Sequence, residues 1–316
     1  MIAACGPDAG FLRMTVHLSK DIVQTFAYWQ TMSATTSAQP SPPTAQTDLR
    51  AMSARGMQAP SLVKSTPMRD RVSDAEWRLR VDLAACYRLM ALYGMTDMIY
   101  NHITARLPDS PGQFLINAYG MYYGEITASS LHKVDRDGEI VLRADTHYGI
   151  NHPGYVIHSA VHRARPDVNC AIHSHTRAGV AVSAMKCGLL PLSLSAMRFV
   201  GHIGYHDCEG TVVDLDEQGR IVADLGEHNA LILRNHGLLT CGPSIAQAFN
   251  AHYTLDLSCR IQVDALAAGT ELNLPPPAVV ERTAWMFRPE VRRPYGEMEW
   301  EALLRMLDLQ APGFRD

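Results

Sequence analysis

Residues 164–176 read Ala-Arg-Pro-Asp-Val-Asn-Cys-Ala-Ile-His-Ser-His-Thr, and this stretch decides how the chain is read. The pair Arg165-Pro166 disfavours any further helical turn, so a helix entering from residue 153 should stop there. A strand is expected at once, over residues 168–176. Side chains alternate along a strand, which sets Val168, Cys170 and Ile172 on one face and Ala171, His173 and His175 on the other. Two neutral imidazoles at i and i+2 on one face form a pincer for a divalent metal, needing a third nitrogen and leaving a position for water or substrate. His236 is the best third nitrogen: Arg-Asn-His-Gly (234–237) closes an apolar strand, and Gly237 is expected to let the backbone turn there. The alternatives are His158 and His162, at i and i+4 on one helix face, and His202 and His206 in a loop.

Working outward, order is expected to begin at Ser73, where Ser-Asp-Ala-Glu (73–76) reads as a capping box. A helix should follow to residue 93, burying a stripe of Trp77, Val81, Ala84, Ala85, Leu89 and Leu92, with Gly94 as its C-terminal cap. Strand patterns are read over residues 101–106, 113–117, 133–134 and 140–142. Further on come strands at 230–234 and 238–241, a long helix over 244–268 closed by Gly269, and a Pro-Pro-Pro break at 275–277. A terminal helix carrying Trp300, Leu303, Leu304 and Leu307 completes the pattern, and Trp285 and Trp300 read as packing of the C-terminal tail.

The 316 residues carry 28 basic and 32 acidic side chains for a net charge of −4. That balance argues against nucleic acid as a partner. No apolar run approaches the roughly 20 residues of a membrane span. Seven scattered cysteines without a C-x-x-C pair point to buried thiols in a reducing compartment, hence the cytoplasm. Residues 31–47 are dominated by Ser, Thr, Ala, Pro and Gln, so residues 1–72 read as a disordered extension, or as an over-extended start with Met57 or Met68 as the first residue. The expected organisation is that extension, a domain over 73–270 and a tail over 271–316.

The segments A-R-P-D-V-N-C-A-I-H-S-H-T (164–176), L-I-L-R-N-H-G-L-L-T (231–240), N-H-I-T-A-R (101–106) and F-L-I-N-A-Y-G (114–120) together resemble the class II aldolase/adducin family. This group includes fuculose and rhamnulose phosphate aldolases and ribulose-phosphate 4-epimerase, and the likeness spans residues 81–267. The stretch 154–167 is closer to the adducin branch. The resemblance implies a three-layer α/β/α sandwich around a mainly antiparallel sheet and a homotetramer. It also implies zinc, with manganese or iron as alternatives, held by His173, His175 and His236. By the same likeness the ion binds a hydroxy-carbonyl substrate and stabilises the enediolate left when a carbon–carbon bond breaks. Epimerase, decarboxylase or iron-dependent oxygenase chemistry on the same site, or a non-catalytic adducin-like module, are the alternative readings.

In the sugar-phosphate aldolases a carboxylate base comes from a segment matching residues 152–155, and here that position is Gly154. The base is therefore sought in the loop Tyr-His-Asp-Cys-Glu-Gly (205–210), at His206, Asp207 or Glu209. Asn101, Thr104 and Gly120 match parts of the family's phosphate loops, and Arg177 is placed to bind a substrate carboxylate. The phosphate-binding serines are replaced by His152 and Pro153, so a substrate without phosphate is expected.

Overall fold

The computed structural model describes residues 66–210 and 215–316. The expected extension lies outside the described residues up to 65. Its last residues are described and form a 3-10 turn at Met68–Arg71 that buries Met68. Helix α1 (Asp74–Leu92) starts where the Ser73 hydroxyl accepts the Glu76 N–H at 3.1 Å. The box is only half formed, because the Glu76 carboxylate turns inward to Arg80 and Lys133. Gly94 adopts φ +67°, and Met95 N–H bonds back to the Met90 carbonyl, ending the helix in a left-handed cap. The buried face is broader than the expected stripe: Leu83, Cys86, Tyr87 and Met90 are buried, whereas Leu92 is exposed.

Strands β1 (His102–Arg106), β2 (Phe114–Asn117), β3 (Leu131–Val134) and β4 (Ile140–Leu142) follow. Helix α2 (His152–Ala164) and strand β5 (Cys170–Ser174) come next. Then come α3 (Arg177–Ser183), α4 (Leu194–Met197), β6 (Gly204–His206), α5 (Leu215–Leu225), β7 (Ala230–Leu233) and β8 (Gly237–Gly242). Helices α6 (Ile245–Ala267), α7 (Pro277–Met286) and α8 (Glu297–Gln310) complete the order.

Among the described residues the eight strands form one sheet in the order β4-β3-β2-β1-β5-β8-β7-β6. Every pairing is antiparallel except β6 with β7. On one face Ile157 and Val161 of α2 and Ile221 and Leu225 of α5 pack over Ala171, Leu231 and Leu239. On the other, α1 and α6 cover Ile103, Cys170 and Ile172. This is the expected α/β/α sandwich. Trp300, Leu307 and Phe314 join the same core as α1, so this part of the C-terminal segment packs on the helical layer. Trp300 donates its indole N–H to Asp82, but Trp285 is 54% exposed and does not pack as expected. Among the described cysteines four are buried, while Cys187 and Cys208 are exposed.

Candidate metal centre

Strand β5 carries the first two imidazoles as its alternation requires. Cys170 and Ile172 face α1 and α6, and Ala171 faces α2. His173 lies on the α2 face and is buried, with its Nδ1–H donated to the Leu238 carbonyl at 3.0 Å. Val168 lies before the strand and packs on the Ala171 side, not with Cys170. His175, just past β5, donates its Nδ1–H to the Asp97 carboxylate at 3.1 Å.

The third imidazole arrives by a different turn from the one expected. Asn235, not Gly237, takes the left-handed conformation, with φ +57°, which asparagine tolerates better than most residues. Gly237 serves close approach instead: a Cβ there would lie 2.3 Å from the Ser174 carbonyl oxygen on the paired strand. The turn is pinned by Arg234 N–H to the His206 carbonyl and His236 N–H to the Leu233 carbonyl.

The result is convergence of three Nε2 atoms. His175 Nε2 lies 2.8 Å from His173 Nε2 and 3.0 Å from His236 Nε2. With the Nδ1 atoms of His173 and His175 turned to the Leu238 carbonyl and the Asp97 carboxylate, the Nε2 atoms are the ones left to face a shared centre. Burial and the neighbouring imidazoles hold His173 well below the ordinary histidine range, and burial pushes His236 down to about 4. Three imidazole Nε2 atoms this close together are a donor set that a cation at their centre would hold in place. Tetrahedral zinc with imidazole ligands sets its nitrogens roughly 3.3 Å apart. The donor set therefore fits a divalent ion.

The cluster opens on a cavity of about 640 Å³, whose wall includes Tyr100, His102, Asn151, Gly154, Cys208 and Asn235. The other expected site residues mostly lie elsewhere. His206 sits with its two ring nitrogens against Asp224 (2.7 Å) and Glu217 (3.4 Å), and Glu209 is paired with Arg220. Neither they nor Asp207 line the cavity; only Cys208 and Gly210 of that loop do. Thr104 is fully buried between His158 and His162, and the space above Gly120 is filled by the Tyr148 ring. Arg177 is exposed at the start of α3. Asn101 accepts the Asp97 N–H at 2.8 Å, which braces the loop bearing the partner of His175.

Two contributors escaped the sequence reading. Asp97 lies in a loop with no periodic pattern, beside Met98 at φ +45°. His102 was legible in principle: it pairs in register with His173 across β1 and β5, so both face α2. Gly154 explains why it matters, since a Cβ there would lie 2.1 Å from His102 Nε2. The imidazole occupies the space into which a side chain at 154 would project.

Residues 81–263 match the family model described as Class II Aldolase and Adducin N-terminal domain. The crystal structure of an aldolase II superfamily protein from Pseudomonas syringae is 48% identical, covers 79% of this chain and all of that one, and superposes with TM-score 0.74. Alpha-adducin of Rattus norvegicus is 44% identical over 272 residues, 78% of this chain and 36% of the adducin. L-fuculose 1-phosphate aldolase from Glaciozyma antarctica is 26% identical over 85% of this chain and 99% of that one, with TM-score 0.68.

Proposed function

The chain belongs to the class II aldolase and adducin family, and from that premise we propose that it is a metal-dependent lyase cleaving a carbon–carbon bond of a small hydroxy-carbonyl substrate. The observation that carries this reading is the convergence of three histidine Nε2 atoms at a cavity of substrate size. His173, His175 and His236 are assigned as the ligands, with zinc the preferred ion for an all-imidazole set. When bound, a divalent ion supplies Lewis-acid polarisation of a carbonyl oxygen.

The chain's own residues do the rest. The Leu238 carbonyl and the Asp97 carboxylate each hold one imidazole in the tautomer that leaves Nε2 free, which fixes ring orientation. Asn101 acts from outside the cavity wall, its side-chain oxygen holding the Asp97 N–H and so the loop that orients His175. No lysine or arginine lines the cavity among the described residues, so an uncharged, unphosphorylated hydroxy-ketone is favoured. The same reading carries a homo-oligomer, a tetramer by family likeness, working in the cytoplasm. Among the described residues no helix is long and apolar enough to cross a membrane.

The test is aldehyde release from matched phosphorylated and unphosphorylated hydroxy-ketones by zinc-loaded protein. Turnover of the unphosphorylated set supports the reading. Exclusive use of phosphorylated substrates would refute the substrate class, and cleavage of neither would refute the lyase. The glycine at 154, where the aldolases hold a carboxylate, favours one second reading, a binding module like the adducins.

A further inference from the structure

Behind the cavity wall, three buried imidazoles and one hydroxyl form a single file. His102 Nδ1 meets His158 Nε2 at 3.1 Å. His158 Nδ1 meets Thr104 Oγ1 at 2.8 Å, and Thr104 Oγ1 meets His162 Nε2 at 2.8 Å. His162 Nδ1 ends the file at the Val168 carbonyl, 3.3 Å away. All four side chains are buried, and among the described residues the hydrogen-bond partners of the three imidazoles are one another, Thr104 and the Val168 carbonyl, with no carboxylate, so each imidazole carries one proton.

The direction of every bond then follows from the far end. A carbonyl can only accept, so His162 donates from Nδ1 and its Nε2 is bare. Thr104 therefore donates to His162, and its oxygen accepts from His158 Nδ1. That leaves His158 Nε2 bare to accept from His102 Nδ1. His102 is left with its lone pair on Nε2, on the side of the ring away from His158, with Gly154 packed over the ring and both residues in the cavity wall. One backbone carbonyl on the far side of α2 thus sets the tautomer of an imidazole beside the metal cluster. His102 is not part of that cluster, whose three ligand atoms lie within 4.8 Å of one another without it.

We infer that His102 is the catalytic base of this site, standing in the space of the carboxylate lost at Gly154, and that His158, Thr104 and His162 are positioning residues that hold its Nε2 lone pair toward the substrate. The inference rests on the lyase reading above. In cleavage, Nε2 takes the proton of the hydroxyl on one carbon of the breaking bond. The O–H pair becomes the second bond of the new carbonyl. The carbon–carbon pair stays with the other fragment, spread onto its carbonyl oxygen, and the same proton returns from Nε2 to that fragment's carbon. Nothing is oxidised or reduced, and His102 ends in its starting tautomer.

The experiment uses full-length zinc-loaded protein and two readouts. The first is exchange of the α-protons of dihydroxyacetone with deuterium oxide, followed by proton NMR, which reports the proton-transfer step in reverse. The second is the ¹⁵N signal of the His102 ring, assigned by its loss in His102→Gln. Zinc content is measured for every variant. The expected result is a fall in exchange of about 10²-fold or more in His102→Gln with zinc retained, and an unprotonated Nε2 signal in the wild type. Thr104→Val should lower kcat about 10-fold or more with KM unchanged, and Thr104→Ser should restore it, since the hydroxyl and not the packing orients the file. Wild-type exchange in His102→Gln, loss of zinc from it, or a protonated Nε2 would each overturn the assignment. If the wild type binds zinc and shows a bare Nε2 but exchanges no proton, the lyase reading fails and takes the base role with it. A protonated Nε2 in an exchanging enzyme fails this inference alone.

Discussion

Asp97 touches the centre through one hydrogen bond, yet that bond decides which nitrogen His175 offers. Replacing it with asparagine keeps the size and removes the charge that favours an Nδ1–H. Asp97→Asn should weaken zinc binding by about 10–100-fold, read by competition with a chelator; unchanged affinity would mean that His175 is oriented by packing. Gly237 acts through space alone. A methyl in Gly237→Ala meets the Ser174 carbonyl oxygen at 2.3 Å, so β8 must move away from β5 and carry His236 with it. We expect a stability loss of about 1–3 kcal/mol by urea unfolding, with weakened zinc binding. Full stability would show that the strand pair has slack. At this scale the convergence of His173, His175 and His236 was legible, because strand alternation and a histidine at a strand end are local patterns. Asp97 was not, because its partner lies 78 positions away. The expected loop base at His206, Asp207 or Glu209 did not reach the cavity, since His206 and Glu209 spend their polar atoms on α5.

At the scale of elements, α1 shows how a signal can be right for one reason and incomplete for another. The Ser73 cap was readable, but Glu76 gives up its half of the box to hold Arg80, which is buried and also donates to the carbonyls of Ala128 and Leu131. Desolvation works against the Arg80 charge and the Glu76 carboxylate supports it. Glu76→Ala strands that guanidinium and should cost about 3–5 kcal/mol in chemical unfolding; a loss under about 1 kcal/mol would mean that solvent reaches Arg80. Long periodic elements such as α1, α2 and α6 were legible because each turns a repeating apolar face to the sheet. Helix α5 and strand β6 went unread. The helix is interrupted by Gly219 and begins with acidic residues, and three residues are too few to show alternation. Pro277 was read as a break, and it also serves as the first residue of α7, where proline costs nothing.

For the whole molecule, the sandwich keeps several histidines uncharged in its interior. Burial pushes His132 down to about 4 and His162 and His252 to about 3. In the unfolded chain these groups titrate near 6.5. The unfolded state therefore binds more protons below that pH, so the stability they supply is full above about 6.5 and is lost as pH falls toward the folded values, by about 1.4 kcal/mol per pH unit for each. Urea midpoints should hold between pH 8 and 7 and fall steadily between pH 6.5 and 5; a flat profile would show these imidazoles protonated or solvated in the fold. Fold class was legible because four short motifs in the chain point to one architecture. The relay behind His102 was not, because it joins β1 to α2 over more than 50 positions.

Whether His173, His175 and His236 hold an ion is tested by metal content, measured on protein purified without chelators or a histidine tag beside a His173→Ala/His236→Ala variant. About one divalent ion per chain is expected in the wild type and none in the variant. Wild-type protein that holds no zinc, manganese or iron after reconstitution, or a variant that retains its ion, would contradict it.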